Sequence, residues 1–214
     1  MADSPHVSSI TVIAGTNGAG KSSIAGARLA KAGGAYFNPD EAAKRIRTAN
    51  PGMSQEEANG AAWQQGRRLL ERAITERVDL TFETTLGGNT MTWLLEKALA
   101  AGIEVHVWYV ALSSPELHIA RVRARVARGG HDIPEAKIRE RYHQSRINLI
   151  RLLPHLSELL LYDNSEEADP HTGAVPEPMF LLHLKRGKLL ANCDLAIAPD
   201  WAKSIFMAAL RPSR

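Results

Sequence analysis

The residues able to do chemistry in this chain are one lysine, one serine, a few carboxylates and a row of arginines. Residues 15 to 22 read Gly15-Thr16-Asn17-Gly18-Ala19-Gly20-Lys21-Ser22, the pattern G-x-x-x-x-G-K-[ST]. In such a loop successive backbone N–H groups converge on phosphate oxygens, and a helix N-terminus adds its positive end. Lys21 is placed to reach the β- and γ-phosphates, and the Ser22 hydroxyl to ligate Mg²⁺. Ser23 closes the run of phosphate-side residues. The apolar run Ile10–Ala14 before the motif and the helix-forming stretch Ser22–Lys31 after it supply the strand–loop–helix frame that the pattern needs. The motif predicts binding of a nucleoside triphosphate. Whether the phosphate goes to water, a small molecule or a polymer depends on the rest of the chain.

Two carboxylates stand where strands should end. Asp40 follows Tyr36-Phe37-Asn38-Pro39, and Glu83 closes Leu80-Thr81-Phe82. In open α/β sheets the C-terminal edge of the strands is where ligands bind. Asp40 also reads as an ordinary acidic residue in a first helical turn. A carboxylate ending an apolar strand is costly to bury without a partner, so Glu83 points to a ligand or to solvent. Thr84 and Thr85 add hydroxyls at the same edge, and Glu71 lies in a long helical stretch behind it. Arg121, Arg125 and Arg128 recur at i, i+4 and i+7, one face of a helix. Such a face is often merely solvated, but three guanidiniums on one side also suit a transferring phosphoryl group. The Gly129–Pro134 stretch that follows reads as the tip of a lid.

The elements that must hold these residues alternate. Strand-like runs are expected at 9–14, 35–38, 79–83, 105–111, 159–162 and 179–184. Helical patterns are expected at 22–31, 40–49, 54–77, 91–101, 115–127, 134–153 and 201–210. This order predicts an α/β fold, a three-layer arrangement around a mostly parallel central sheet. It is read as one domain over residues 1–214, with an acceptor-side helical insertion at 50–78, lid helices at 115–153 and a mobile loop at 164–178. Tyr162-Asp163-Asn164-Ser165 is a candidate for the adenine side.

Composition excludes several classes. The net charge is +3, from 26 basic and 23 acidic residues, and the basic excess is concentrated from Arg121 onward. A nucleic-acid footprint is broader and interleaved with aromatics, so a polyphosphate clamp is favoured and nucleic acid is not expected as a partner. With one cysteine, Cys193, there is no disulfide framework and no thiolate metal site. No signal peptide and no membrane span are expected, and the reading is cytoplasmic.

Taken in order, Ala14–Ser23, Phe37–Asp40, Phe82–Gly87 and Arg121–Leu149, with Gly-Gly-His-Asp-Ile-Pro-Glu and Arg-Glu-Arg-Tyr inside the last, resemble the zeta-toxin family of P-loop kinases. The resemblance covers most of residues 8 to 165. It implies a kinase moving the γ-phosphate of ATP, or of GTP, onto a sugar hydroxyl, with Mg²⁺ as cofactor and UDP-N-acetylglucosamine as the family's acceptor. On this reading Asp40 takes the hydroxyl proton, Glu83 and Glu71 contact the acceptor, and Arg121 sits on the phosphates. The family's second lid arginine corresponds here to His131, so Arg125 or Arg128 replaces its charge or the activity differs. An antitoxin protein is the partner the family implies. The long C-terminal extension of the plasmid-borne toxins is not expected here, which weighs against toxicity and against an antitoxin partner alike. Two other readings stay open: a kinase for another small molecule or a polynucleotide 5′-hydroxyl, and a nucleotide-dependent regulatory module.

Overall fold

The computed structural model describes residues 7–21, 36–167 and 176–211. Its centre is β1 (Ser9–Ala14), β2 (Tyr36–Phe37), β3 (Leu80–Thr84), β4 (Glu104–Ala111) and β5 (Glu158–Asp163). These five strands run parallel in the order β2-β3-β1-β4-β5. Strands such as SITVIA and EVHVWYVA are rich in β-branched and aromatic residues, which suit a sheet buried between layers. All five C-terminal ends point one way, so the turns after them gather at one edge.

The helices begin where the chain supplies caps. In α1 (Pro39–Ala49) the Asn38 side chain accepts from the amides of Asp40 and Glu41, and Pro39 starts the first turn. α2 (Gln55–Glu76) opens on a reciprocal Ser54–Glu57 capping box. α3 (Asn89–Ala100) follows β3, and α4 (Pro115–Ala127) is capped by Ser114. α5 (Glu135–Leu152) starts one residue later than the sequence suggests, with Pro134 extended at its N-cap. Ile10, Val12, Phe82, Val107, Leu95, Leu149 and Leu161 belong to one continuous core that also takes in α1 and α2. Ile119, Val122, Ile133 and Ile138 form a small separate core between α4 and α5.

Beyond β5 the sheet continues antiparallel through β6 (Met179–Lys185) and β7 (Lys188–Asn192), and α6 (Asp200–Ala209) packs back on the core. β7 lies beyond the expected strands, because its residues are all exposed and show no buried pattern. Arg186 and Gly187 both take positive φ, at 47° and 72°, as a tight hairpin turn demands. The helix expected at 22–31 and most of the loop expected at 164–178 lie outside the described residues. Among the described residues no helix is long and apolar enough to cross a membrane.

Candidate active site

The loop after β1 is curled as the motif requires. Gly15 has φ of 142°, and a Cβ there would lie 2.0 Å from the carbonyl oxygen of Val110 on β4. The Ala19 amide donates to the Thr16 carbonyl (3.1 Å), closing the turn, and Gly15 N–H reaches Thr84 O on β3 (3.3 Å). This succession of turned peptides is an anion nest. Thr16 and Asn17 are buried within it. Lys21 donates its Nζ to the Gly15 carbonyl (2.8 Å), folding over the loop. Its pKa is lowered by burial, against the pull of Glu83 and Asp40, while Arg125 and Arg141 push the same way as burial. Ser22 and Ser23 lie outside the described residues.

Asp40 is the second residue of α1, and its amide is held by Asn38 Oδ1 (2.9 Å). Its carboxylate is half exposed. Arg125 Nη1 stands 3.3 Å from Oδ2, and His131 Nε2 stands 4.0 Å from Oδ1. Glu83 is buried at the end of β3 and accepts a short hydrogen bond from the Tyr36 hydroxyl. Burial and that bond push the Tyr36 phenol well above its ordinary range. Asn38 Nδ2 also donates to the Tyr36 hydroxyl (3.4 Å), linking the α1 cap to Glu83. The Thr84 and Thr85 hydroxyls accept from the amides of Leu86 and Gly87 and shape the β3–α3 turn.

The lid arginines divide. The Arg121 stem lies over the loop: a Cβ on Gly18 would come within 3.5 Å of Arg121 Cβ. Its guanidinium donates to the Glu166 carbonyl (2.9 Å). Arg125, one turn on, reaches Asp40 and the His131 carbonyl (3.3 Å). Arg128 is not brought to the cleft. α4 ends at Ala127, Arg128 is its C-cap, and its Nε turns back to Ala124 O (3.1 Å). The i+7 position keeps a face only while the helix lasts. Glu71 is likewise apart: it stands 3.8 Å from Arg67 on the half-exposed side of α2 and does not line the cavity beside Asp40.

That cavity, about 620 Å³, is walled by Phe37, Trp63, Phe82 and Met91, with Glu56, Asn59, Lys137 and Glu140 around its rim. Asp40, Glu83, Thr84 and Thr85 face it from the sheet edge. A second hollow of about 660 Å³ shares Asp40 and His131 with the first and carries Lys44, Arg47 and Arg125. Asp40 is thus the wall between an aromatic hollow and a basic one.

Two side chains at this site escape sequence reasoning. Arg141 of α5 donates to Asn17 Oδ1 (2.9 Å) and lies against Gly87, where a Cβ would be 2.6 Å from its Cγ. Tyr36 is the partner of Glu83. Both stand inside quoted motifs, but neither spacing nor periodicity distinguishes them. On the nucleotide side, Asn164 Nδ2 donates to the Ala19 carbonyl (2.8 Å), so the turn after β5 does meet the loop.

The chemistry the site allows is anion binding beside a half-exposed carboxylate. The nest and Lys21 fit a triphosphate. Among the described residues no group of three or more histidines, cysteines or acids could hold a metal ion by itself.

The zeta toxin family profile matches residues 4–169. An uncharacterized protein of Haemophilus influenzae is 32% identical over 128 residues, 60% of this chain and 88% of that protein. A chain of the AvrRxo1-ORF1:AvrRxo1-ORF2 complex with sulphate ions superposes with a TM-score of 0.65 at 14% identity, covering 96% of this chain. This chain spans 64% of that one's length. The same complex solved with ATP gives 0.64 at 14% identity, over 96% of this chain and 64% of that one. A chain of the PezAT chromosomal toxin-antitoxin system of Streptococcus pneumoniae gives 0.51 at 16% identity, over 75% of this chain and 70% of its own. At such identities the superpositions speak for the fold alone, while the profile match extends over most of the sequence. The chain belongs to the zeta-toxin family.

Proposed function

We propose that this protein transfers the γ-phosphate of ATP to a hydroxyl of a nucleotide sugar such as UDP-N-acetylglucosamine. The observation that carries the reading is Asp40: a carboxylate facing the aromatic cavity, beside Lys21 and opposite a lid arginine. A switch that only senses nucleotide needs no base at that place. Trp63, 40% exposed on the cavity wall, offers a flat apolar face to a planar or sugar ring, and the rim carboxylates and amide offer partners to hydroxyls.

Phosphoryl transfer asks for positioning and charge neutralisation. In this reading Lys21 and Arg121 hold the triphosphate, and Arg141 backs the loop from the lid side. The acceptor hydroxyl displaces Arg125 from Asp40 and gives its proton to the carboxylate. The acceptor oxygen then bonds to the γ-phosphorus, the bond from that phosphorus to the bridging oxygen breaks, and ADP leaves. Arg125, freed from Asp40, is the substitute for the lid arginine that His131 replaces. Ser22 would hold a Mg²⁺ ion, which when bound would supply further charge neutralisation. Two of the similar structures come from a two-protein complex, AvrRxo1-ORF1:AvrRxo1-ORF2, and from the PezAT toxin-antitoxin system. That supports an antitoxin protein as a partner here too.

The test is direct. The protein is incubated with ATP, Mg²⁺ and a panel of nucleotide sugars, other small alcohols and a 5′-hydroxyl oligonucleotide. An acceptor-dependent mass gain of one phosphate on a nucleotide sugar supports the reading; gain only on the oligonucleotide overturns it.

A further inference from the structure

His118 lies on α4, one turn beyond the Ser114 cap, and no part of it reaches solvent. Its Nδ1 stands 2.8 Å from the main-chain carbonyl oxygen of Asn17, in the phosphate loop. A carbonyl can only accept, so Nδ1 carries the proton and Nε2 is left as a lone pair. That Nε2 is buried with no hydrogen-bond partner. Three further contacts converge on the same spot. Gly18, with φ of 83°, lies against the carbonyl of His118 itself, where a Cβ would come within 2.8 Å. Arg141 of α5 donates to the Asn17 side chain at 2.9 Å. Tyr142, the next residue, sets its ring edge-on to the imidazole at 5.6 Å and donates its hydroxyl to Ser113 O at 2.9 Å.

The crown of the phosphate loop is therefore fastened to both lid helices, its main chain through His118 and its side chain through Arg141. The Asn17 carbonyl and the Gly18 amide share one rigid peptide plane. Whatever fixes the carbonyl fixes the direction of that amide. A plane turned over would present a carbonyl where the loop presents an N–H, and a carbonyl repels phosphate oxygens. We infer that His118 is a positioning residue for nucleotide binding. Its Nδ1–H holds the 17–18 peptide in the anion-binding orientation before any nucleotide arrives, and it joins the base of the lid to the loop as one body. The inference rests on the kinase reading only in taking the anion to be ATP.

Histidine, asparagine and glutamine separate this role from packing. Asparagine sets an amide N–H near the position of Nδ1, glutamine near that of Nε2. The full chain carrying His118→Asn, His118→Gln or His118→Leu is compared with the parent by ATP titration and by hydrogen exchange of residues 15–21. The expected result is that His118→Asn binds ATP within about threefold of the parent, while His118→Gln and His118→Leu weaken it by roughly tenfold. Exchange in the loop should quicken in the latter two alone. Equal ATP affinity and equal loop exchange in the Asn and Gln variants overturns the inference. In parallel, ¹⁵N resonances of the parent's imidazole should show the Nδ1–H tautomer at neutral pH; an Nε2–H tautomer or an imidazolium overturns the inference even if no variant folds. If the parent fails to bind ATP, the kinase reading falls, while tautomer and loop exchange still judge the peptide-holding role of His118.

Discussion

Asp40 and Arg125 are paired at 3.3 Å, and in the proposed transfer their roles are separable by substitution. Asp40→Asn keeps the size and the cap geometry but removes the base. Transfer to the acceptor should fall by about 10²–10⁴-fold with ATP affinity nearly unchanged. Arg125→Ala should fall comparably, whereas Arg128→Ala, whose guanidinium only returns to its own helix, should stay within about twofold. Turnover and ATP titration on the three variants decide the matter; an Arg128→Ala variant as impaired as Arg125→Ala would refute the division of the lid. His118 adds a pH dependence. Burial, opposed by the Asn17 carbonyl, moves its pKa from 6.5 down to about 4, with Lys21, Arg121 and Arg146 adding to the fall. Between those values the unfolded chain holds a proton that the folded chain refuses, so stability declines as pH falls from 6.5 toward 4. The ceiling is about 3 kcal/mol. Urea midpoints at pH 7 and pH 5 should therefore separate more for the parent than for His118→Asn. At this scale the sequence showed what is local. The loop motif and Asp40 stand at fixed spacing from a strand end. Arg141 and Tyr36 reach the site only through tertiary placement, and no spacing marks them.

Among the elements, capping does more than end a helix. Asn38 holds the amides of Asp40 and Glu41 and touches Tyr36, whose hydroxyl serves Glu83. Ser54 caps α2 with no tie to the base. Asn38→Ala and Ser54→Ala should each cost about 1 kcal/mol of stability. Only Asn38→Ala should also lower turnover, because it frees Asp40 and the Glu83 pair together. Equal turnover in both variants, measured beside their urea midpoints, would show that the cap has no part in placing the base. Helix boundaries were legible to within a residue or two where caps and prolines mark them, as at Pro115 and Ser54. Arg128 shows the limit of periodicity: the i+7 position falls one residue past the point where α4 stops.

For the whole molecule, the five parallel strands were legible because burial on both faces leaves continuous apolar runs. The antiparallel end of the sheet was only half legible. β6 carries such a run, but β7 is an edge strand of exposed residues whose signal lies in the Arg186–Gly187 turn alone. Yet this end is tied to the nucleotide side. Trp201 of α6 donates its indole N–H to Asp163 Oδ2 (2.6 Å) at the tip of β5, and Asp163 accepts in turn from the amide and hydroxyl of Ser165. The neighbouring Asn164 holds the phosphate loop through Ala19. The family profile stops at residue 169, short of β6, β7 and α6. Homology and packing thus draw different borders for this protein. A fragment ending at residue 169 would leave β5 an unpaired apolar edge and strip the indole from Asp163. It should therefore aggregate on expression, where the full chain stays monodisperse by light scattering; a well-behaved fragment with normal ATP affinity would mean the border belongs where the profile puts it. Anyone trimming this protein for crystals or for activity screens should cut by the indole's partner and keep α6.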